Sequence, residues 1–200
     1  MGLPAPIQAA TARQHLHAPV LPPLQGLWLE AWHSSTPPIQ GHSHGVHWRR
    51  CGDVLYGVLD MAEADFADPP QGKPPLQAAS EAAYRRLFAL LDEQGLPHLW
   101  RVWNYVTDIN GESHGLERYR QFNVGRHDAF VACGQAASGN VPTACALGVH
   151  AGPALSMAFM AGAHPALPIE NPRQVSAYDY PAQYGPRAPM FSRAALVQLP

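Results

Sequence analysis

The spacing of apolar positions changes several times along the chain, and each change marks an element. Asp53–Asp60 (DVLYGVLD) is a short apolar run and reads as a buried strand. From Leu76 to Gln94 the apolar residues move to helical spacing, with Ala83, Leu87 and Leu91 on one stripe and Tyr84 and Phe88 beside it. Pro74 and Pro75 stand where prolines open a helix, Gly95 suits its left-handed end, and Pro97 blocks continuation. His98–Val106 (HLWRVWNYV) is aromatic and β-branched on both faces and predicts a strand. A polar turn follows at 108–115, then a second helix over about Leu116–Phe130. It carries Leu116, Tyr119 and Phe122 on one face and Glu117 in its first turn. Thr143–Val149 and Leu155–Ala161 read as two strands joined as a hairpin or near-hairpin. The order is β–α–β–α–β–β, which predicts an α+β fold with a mixed sheet and both helices on one face.

The flanks are less regular. Residues 1–24 are rich in Ala and Pro and read as an arm, and Gln25–Trp32 (QGLWLEAW) alternates like a short strand. Residues 33–47 (HSSTPPIQGHSHGVH) read as a loop. Within it His42, His44 and His47 form HxHxxH. The spacing is loose and the sequence puts no acidic residue near it, so a solvated loop is expected there and no metal site. The resulting division is an N-terminal extension at 1–50, a central domain at 51–165 and a segment at 166–200.

Composition narrows the function. The 200 residues are 46% hydrophobic and only 14% charged, with a net charge of −2, so no global basic field recruits nucleic acid. No apolar run is long enough to span a bilayer, and the N-terminus lacks the charged-then-apolar pattern of a secretory signal. Cys51, Cys133 and Cys145 are too widely spaced for a metal pattern or a disulfide framework. A cytoplasmic protein with reduced thiols and no cofactor is expected.

The remaining chemistry gathers in two places. Residues 170–193 (ENPRQVSAYDYPAQYGPRAPMFSR) hold Tyr178, Tyr180, Tyr184, Arg173, Arg187 and Arg193 on a proline-stiffened backbone. Phenols and guanidinium forks held this way suit a small carboxylate ligand. The second place is Arg118–Arg126 (RYRQFNVGR). Arg118 and Arg120 lie about 200° apart on a helix, so they do not share a ligand. Arg126 either serves the helix C-terminus or turns inward to meet residues 178–187.

These residues carry a resemblance. RVWNYVTDIN, GLERYRQFNVGRHDAF, PTACALG and ENPRQVSAYDYP with YGPRAPMFSRA resemble the chorismatases, from about residue 25 onward. The 53–161 unit is similar to one YjgF/Rid-like domain, a chorismate-mutase-like α+β fold. The resemblance implies cleavage of chorismate to pyruvate and a dihydroxycyclohexadiene carboxylate or hydroxybenzoate, by acid catalysis on the enol ether. It implies Arg126, Tyr184, Arg187, Tyr178 and Arg120 as substrate contacts, with no residue assigned as the acid. Rid-like units trimerise, so a homotrimer or a pseudo-trimeric assembly is implied too. Two departures qualify it. Pro142-Thr143-Ala144-Cys145 lacks the Arg of imine deaminases. Chorismatases also continue into a second Rid-like domain that supplies an acid, so this chain is expected to be the N-terminal part of such an enzyme or a shortened homologue. The alternative is a non-catalytic Rid-like module that binds small acids or only assembles.

Overall fold

The computed structural model describes residues 12–18, 29–68 and 72–199. Its centre is a six-stranded sheet built from β1 (Ile39–Ser43), β2 (Val46–Cys51), β3 (Val54–Met61), β4 (His98–Thr107), β7 (Thr143–Val149) and β8 (Leu155–Gly162). The spatial order is β1-β2-β3-β8-β4-β7, with β4 and β7 parallel and every other pair antiparallel. Two helices, α1 (Pro75–Gln94) and α2 (Arg118–Ala132), lie against one face. This is the α+β layering expected of a YjgF/Rid-like unit.

Along β4 the buried residues Trp100, Val102, Asn104 and Val106 alternate with more exposed ones, and Val102 and Val106 belong to the core shared with the helices. On α1 the stripe of Ala83, Leu87 and Leu91 is fully or nearly fully buried, as its spacing predicted. Tyr84, Phe88 and Phe130 form an aromatic cluster between the helices, with ring centroids 5.6 Å apart for Tyr84–Phe130 and 5.1 Å for Phe88–Phe130. Pro74 is the N-cap of α1, Pro75 is its first residue, and Gly95 ends it at φ 63°. The helices touch most closely at Gly125. A Cβ there would lie 2.1 Å from the carbonyl oxygen of Gln77.

Several expectations change. The 33–47 loop is in its second half a β-hairpin: β1 and β2 pair from Ile39↔Arg50 to Ser43↔Val46. Its Gly and His content signals the two-residue His44-Gly45 turn, not a loop. Of the strand expected at Gln25–Trp32, residues 25–28 lie outside the described residues, and Leu29–Trp32 has no strand pairing. Trp32 instead packs on Trp103, centroids 6.3 Å apart, and Gln14 donates to Ser156 at 3.1 Å. The described part of the extension thus reaches the sheet face away from the helices. β7 and β8 do not form a hairpin. β8 inserts between β3 and β4, and β7 lies on the outer side of β4. β4 is paired on both edges, and bonds at its end continue both pairings: Thr107 N donates to Ala154 O at 3.1 Å and Asp108 N donates to Val149 O at 3.2 Å.

The second helix starts at Arg118, with Glu117 as its N-cap and Leu116 in a short ribbon. That ribbon, β5 (Glu112–Ser113) with β6 (Leu116–Glu117), is held by Gln121 Nε2, which donates to Ser113 O at 2.7 Å and Leu116 O at 2.8 Å. Arg118 is buried and grips the 3-10 turn Glu63–Phe66 through Glu63, at 3.1 and 2.9 Å, while its Nε donates to Thr107 O at 3.0 Å. One buried cation therefore ties α2, β4 and the loop before α1 together.

Candidate functional site

Residues 170–193 form a closed loop. Its ends are pinned by a two-stranded ribbon, β9 (Leu167–Ile169) with β10 (Ala194–Leu196), in the register Ala194↔Ile169 to Leu196↔Leu167. Between them two 3-10 turns, Ala177–Asp179 and Ala182–Tyr184, supply local hydrogen bonds where proline rules out longer helices. The loop is anchored, not draped. Ala177 and Met190 are buried, and Met190 is part of the core. Ser192 is fully buried, donates its N–H to Pro142 O at 3.1 Å and shares a 3.1 Å hydroxyl contact with Thr143 at the start of β7.

Against α2 the loop encloses a concavity of about 260 Å³ lined by Tyr178, Tyr180, Arg187 and Met190 on its own side and by His127 on the helix. Arg187 has no carboxylate partner among the described residues; its Nη1 makes a contact of 3.4 Å to Pro186 O. Tyr180 accepts a 3.0 Å bond from Arg193 Nη2, and the Arg193 guanidinium lies 5.3 Å from the Phe191 ring centroid. Burial holds His127 below the usual histidine range, the nearby Arg187 cation adds to this, and Asp128 opposes it. Asp128 is itself drawn away, with Oδ2 3.5 Å from Lys73 Nζ. The concavity is thus lined by one cation, Arg187, and the hydroxyls of Tyr178 and Tyr180, and the nearest carboxylate on the helix side is Asp128, with Oδ1 4.0 Å from His127 Nδ1.

The expected contacts separate into three groups. Tyr178 and Arg187 meet in the concavity. Tyr184 and Arg120 stand at its margin: Tyr184 is exposed, its ring 5.8 Å from Tyr180, and Arg120 packs beside Gly185 while pairing with Glu117 at 3.1 Å. Arg126 does turn inward, but not toward the loop. It lies mid-helix, since α2 runs on to Ala132, and is 2% exposed. Its guanidinium sits 5.3 Å from the Phe122 ring centroid and beside the Tyr84 hydroxyl. Nε and Nη2 of Arg126 have no hydrogen-bond partner among the described residues. Tyr84 in turn donates to Asn104 Oδ1 at 3.0 Å, and Asn104 Nδ2 donates to Cys145 O at 2.9 Å.

His127, Tyr180 and Arg193 were not among the expected contacts. Tyr180 and Arg193 are distant in sequence within an aperiodic loop, so only the fold reveals that they touch. His127 follows Arg126 directly and faces outward because one residue turns a helix by about 100°.

The FkbO/Hyg5-like chorismatase N-terminal profile matches residues 30–161, more than half of the chain. The chain belongs to this family. A chorismatase from Streptomyces rapamycinicus is 39% identical over 172 residues, covering 86% of this chain and 48% of that protein. A 3-hydroxybenzoate synthase from Streptomyces hygroscopicus is 36% identical over 168 residues, covering 82% and 46%. A chorismatase crystal structure superimposes with a TM-score of 0.70 at 34% identity, over 81% of this chain and 46% of that one. The chain therefore spans about half the length of the curated relatives it matches.

Proposed function

We propose that this chorismatase-family chain forms one wall of a cleft that binds chorismate, and that the intact enzyme releases pyruvate from it. The observation that carries this reading is the surplus of unneutralised donors around one concavity. Arg187 has no acidic partner among the described residues, burial and the Arg187 cation hold the His127 pKa below its ordinary value, and Tyr178 and Tyr180 line the same space. A ligand with carboxylates supplies the missing charge, and a guanidinium recognises carboxylate through paired parallel bonds.

In this reading Arg187 holds one carboxylate, and Tyr178 and Tyr184 orient the ring. Arg120 closes the margin, and Arg126, turned to Phe122 and Tyr84, is left out of the contacts. The reaction is protonation of the enolpyruvyl methylene to an oxocarbenium ion. Attack on that ion by water gives a hemiketal that collapses to pyruvate and a dihydroxycyclohexadiene carboxylate; attack by a ring hydroxyl leads toward a hydroxybenzoate. The acid for this step needs a carboxyl with a raised pKa in a desolvated pocket. No residue of this chain is assigned that role, and the 200 residues by themselves are expected to show weak or no turnover.

The test is a coupled pyruvate assay on two proteins. One is the 200-residue chain, and the other is the same chain joined to the C-terminal half of the Streptomyces rapamycinicus chorismatase. Chorismate-dependent pyruvate from the joined protein supports the reading. A folded joined protein that neither turns over chorismate nor binds it overturns it.

A further inference from the structure

His42, His44 and His47 lie on one hairpin, and the fold divides them. β1 and β2 are joined by His44 and Gly45, both left-handed at φ 52° and 75°. That is the two-residue hairpin turn whose twist matches the strands. Ser43 faces Val46 as the closing pair, so His42 facing His47 is the next pair out. Pairs alternate along an antiparallel ladder, which makes His42–His47 a non-hydrogen-bonded pair, the kind whose side chains approach most closely. Their ring centroids are 4.3 Å apart with planes 30° from parallel, and both residues are exposed.

His44 is taken elsewhere. Its Nε2 lies 2.9 Å from Glu93 Oε2 at the end of α1, and Glu93 Oε1 accepts from Ser43 Oγ at 3.0 Å. An acidic residue distant in sequence therefore engages the third histidine and leaves the other two as a pair.

We propose that His42 and His47 chelate a divalent transition ion of the Zn²⁺, Ni²⁺ or Cu²⁺ class. Imidazole nitrogens suit these ions. Fixed register on adjacent strands holds the two rings side by side, so side-chain rotation alone turns a nitrogen of each onto a shared ion. No group of three or more potential ligands occurs among the described residues, so solvent completes the coordination. The charged neighbours on this face are Arg49, two residues along β2 and opposite Gln40, and Asp60, which the register places diagonally from His47 across β3. Protons compete for both imidazoles, so binding weakens in acid. The ion bridges β1 to β2 and stabilises the folded chain by linkage.

Calorimetric titration of the tag-free 200-residue chain with Ni²⁺ at neutral pH tests the assignment. One ion per chain is expected, with His42→Ala and His47→Ala each weakening it at least about tenfold and His44→Ala leaving it unchanged. In proton NMR of the wild type, substoichiometric Ni²⁺ should broaden the His42 and His47 rings first among the eleven histidines. This second reading does not depend on whether a variant folds. Wild-type affinity in either the His42→Ala or the His47→Ala variant, no binding, or earlier broadening at other histidines overturns the proposal.

Discussion

Replacing Arg126 by Met separates a side chain kept for a ligand from one kept for the fold. Arg126 is 2% exposed, and its Nε and Nη2 have no hydrogen-bond partner among the described residues. Each buried unsatisfied donor costs about 1–3 kcal/mol. Against this stand the contact with the Phe122 ring, at 5.3 Å, about 0.5–2 kcal/mol for a cation over an aromatic face, and the neighbouring Tyr84 hydroxyl, about 1–3 kcal/mol for a charged hydrogen bond. Met has similar length and no donors. The balance predicts that Arg126→Met leaves the unliganded chain as stable as the wild type or more stable by about 1–2 kcal/mol. In a chain of this size that is a Tm increase of roughly 2–8 °C. Thermal melts by circular dichroism, with and without chorismate, read both effects. The expected result is an unchanged or raised Tm with the chorismate response retained, because Arg126 does not line the concavity. A lowered Tm would make Arg126 a structural partner of Tyr84, and a lost response would make it a ligand contact; either contradicts this balance.

Other expectations follow from particular contacts. Gly125→Ala forces a methyl against the Gln77 carbonyl, at 2.1 Å before relaxation. It should cost about 1–3 kcal/mol in urea unfolding, without altering the wild-type slope. Glu63→Gln removes the charge facing buried Arg118. Because Glu63 is a third exposed on its side chain, the cost should fall below the 3–5 kcal/mol of a fully buried pair, at about 2 kcal/mol. His127 is held below its ordinary pKa in the folded chain, mainly by burial and then by Arg187. The unfolded chain therefore binds the proton more readily, so this contribution is full above the ordinary histidine range and is lost as pH falls through the lowered folded value. Tm should drop less on acidification in His127→Gln than in the wild type, and Arg187→Gln should raise the His127 midpoint seen by NMR.

Local order was legible where it rests on local patterns. The α1 stripe, its proline start and its glycine end were readable because each depends on neighbours within a turn or two. Strand order was not: nothing in Thr143–Val149 or Leu155–Gly162 says that β8 inserts beside β4, because that depends on which edges β4 leaves unpaired. The loop at 170–193 was conspicuous by composition, and Tyr178 and Arg187 do face one concavity. Arg126 illustrates the opposite case. Gly125 and a helix end expected at Phe130 made it look like a C-terminal cation, whereas α2 runs through Gly125 to Ala132 and holds Arg126 in mid-helix, turned to Tyr84. His44–Glu93 and Arg193–Tyr180 are contacts between residues distant in sequence, and they need the fold before they can be seen.

If residues 170–193 and α2 make one wall of a dicarboxylate cleft, calorimetric titration of chorismate into the 200-residue chain, beside Arg187→Gln, reads it out. Saturable binding to the wild type is expected, weakened by Arg187→Gln by about tenfold or more, the size expected for losing one charge-assisted contact. Equal binding by the two proteins, or none by either when both are folded, contradicts it.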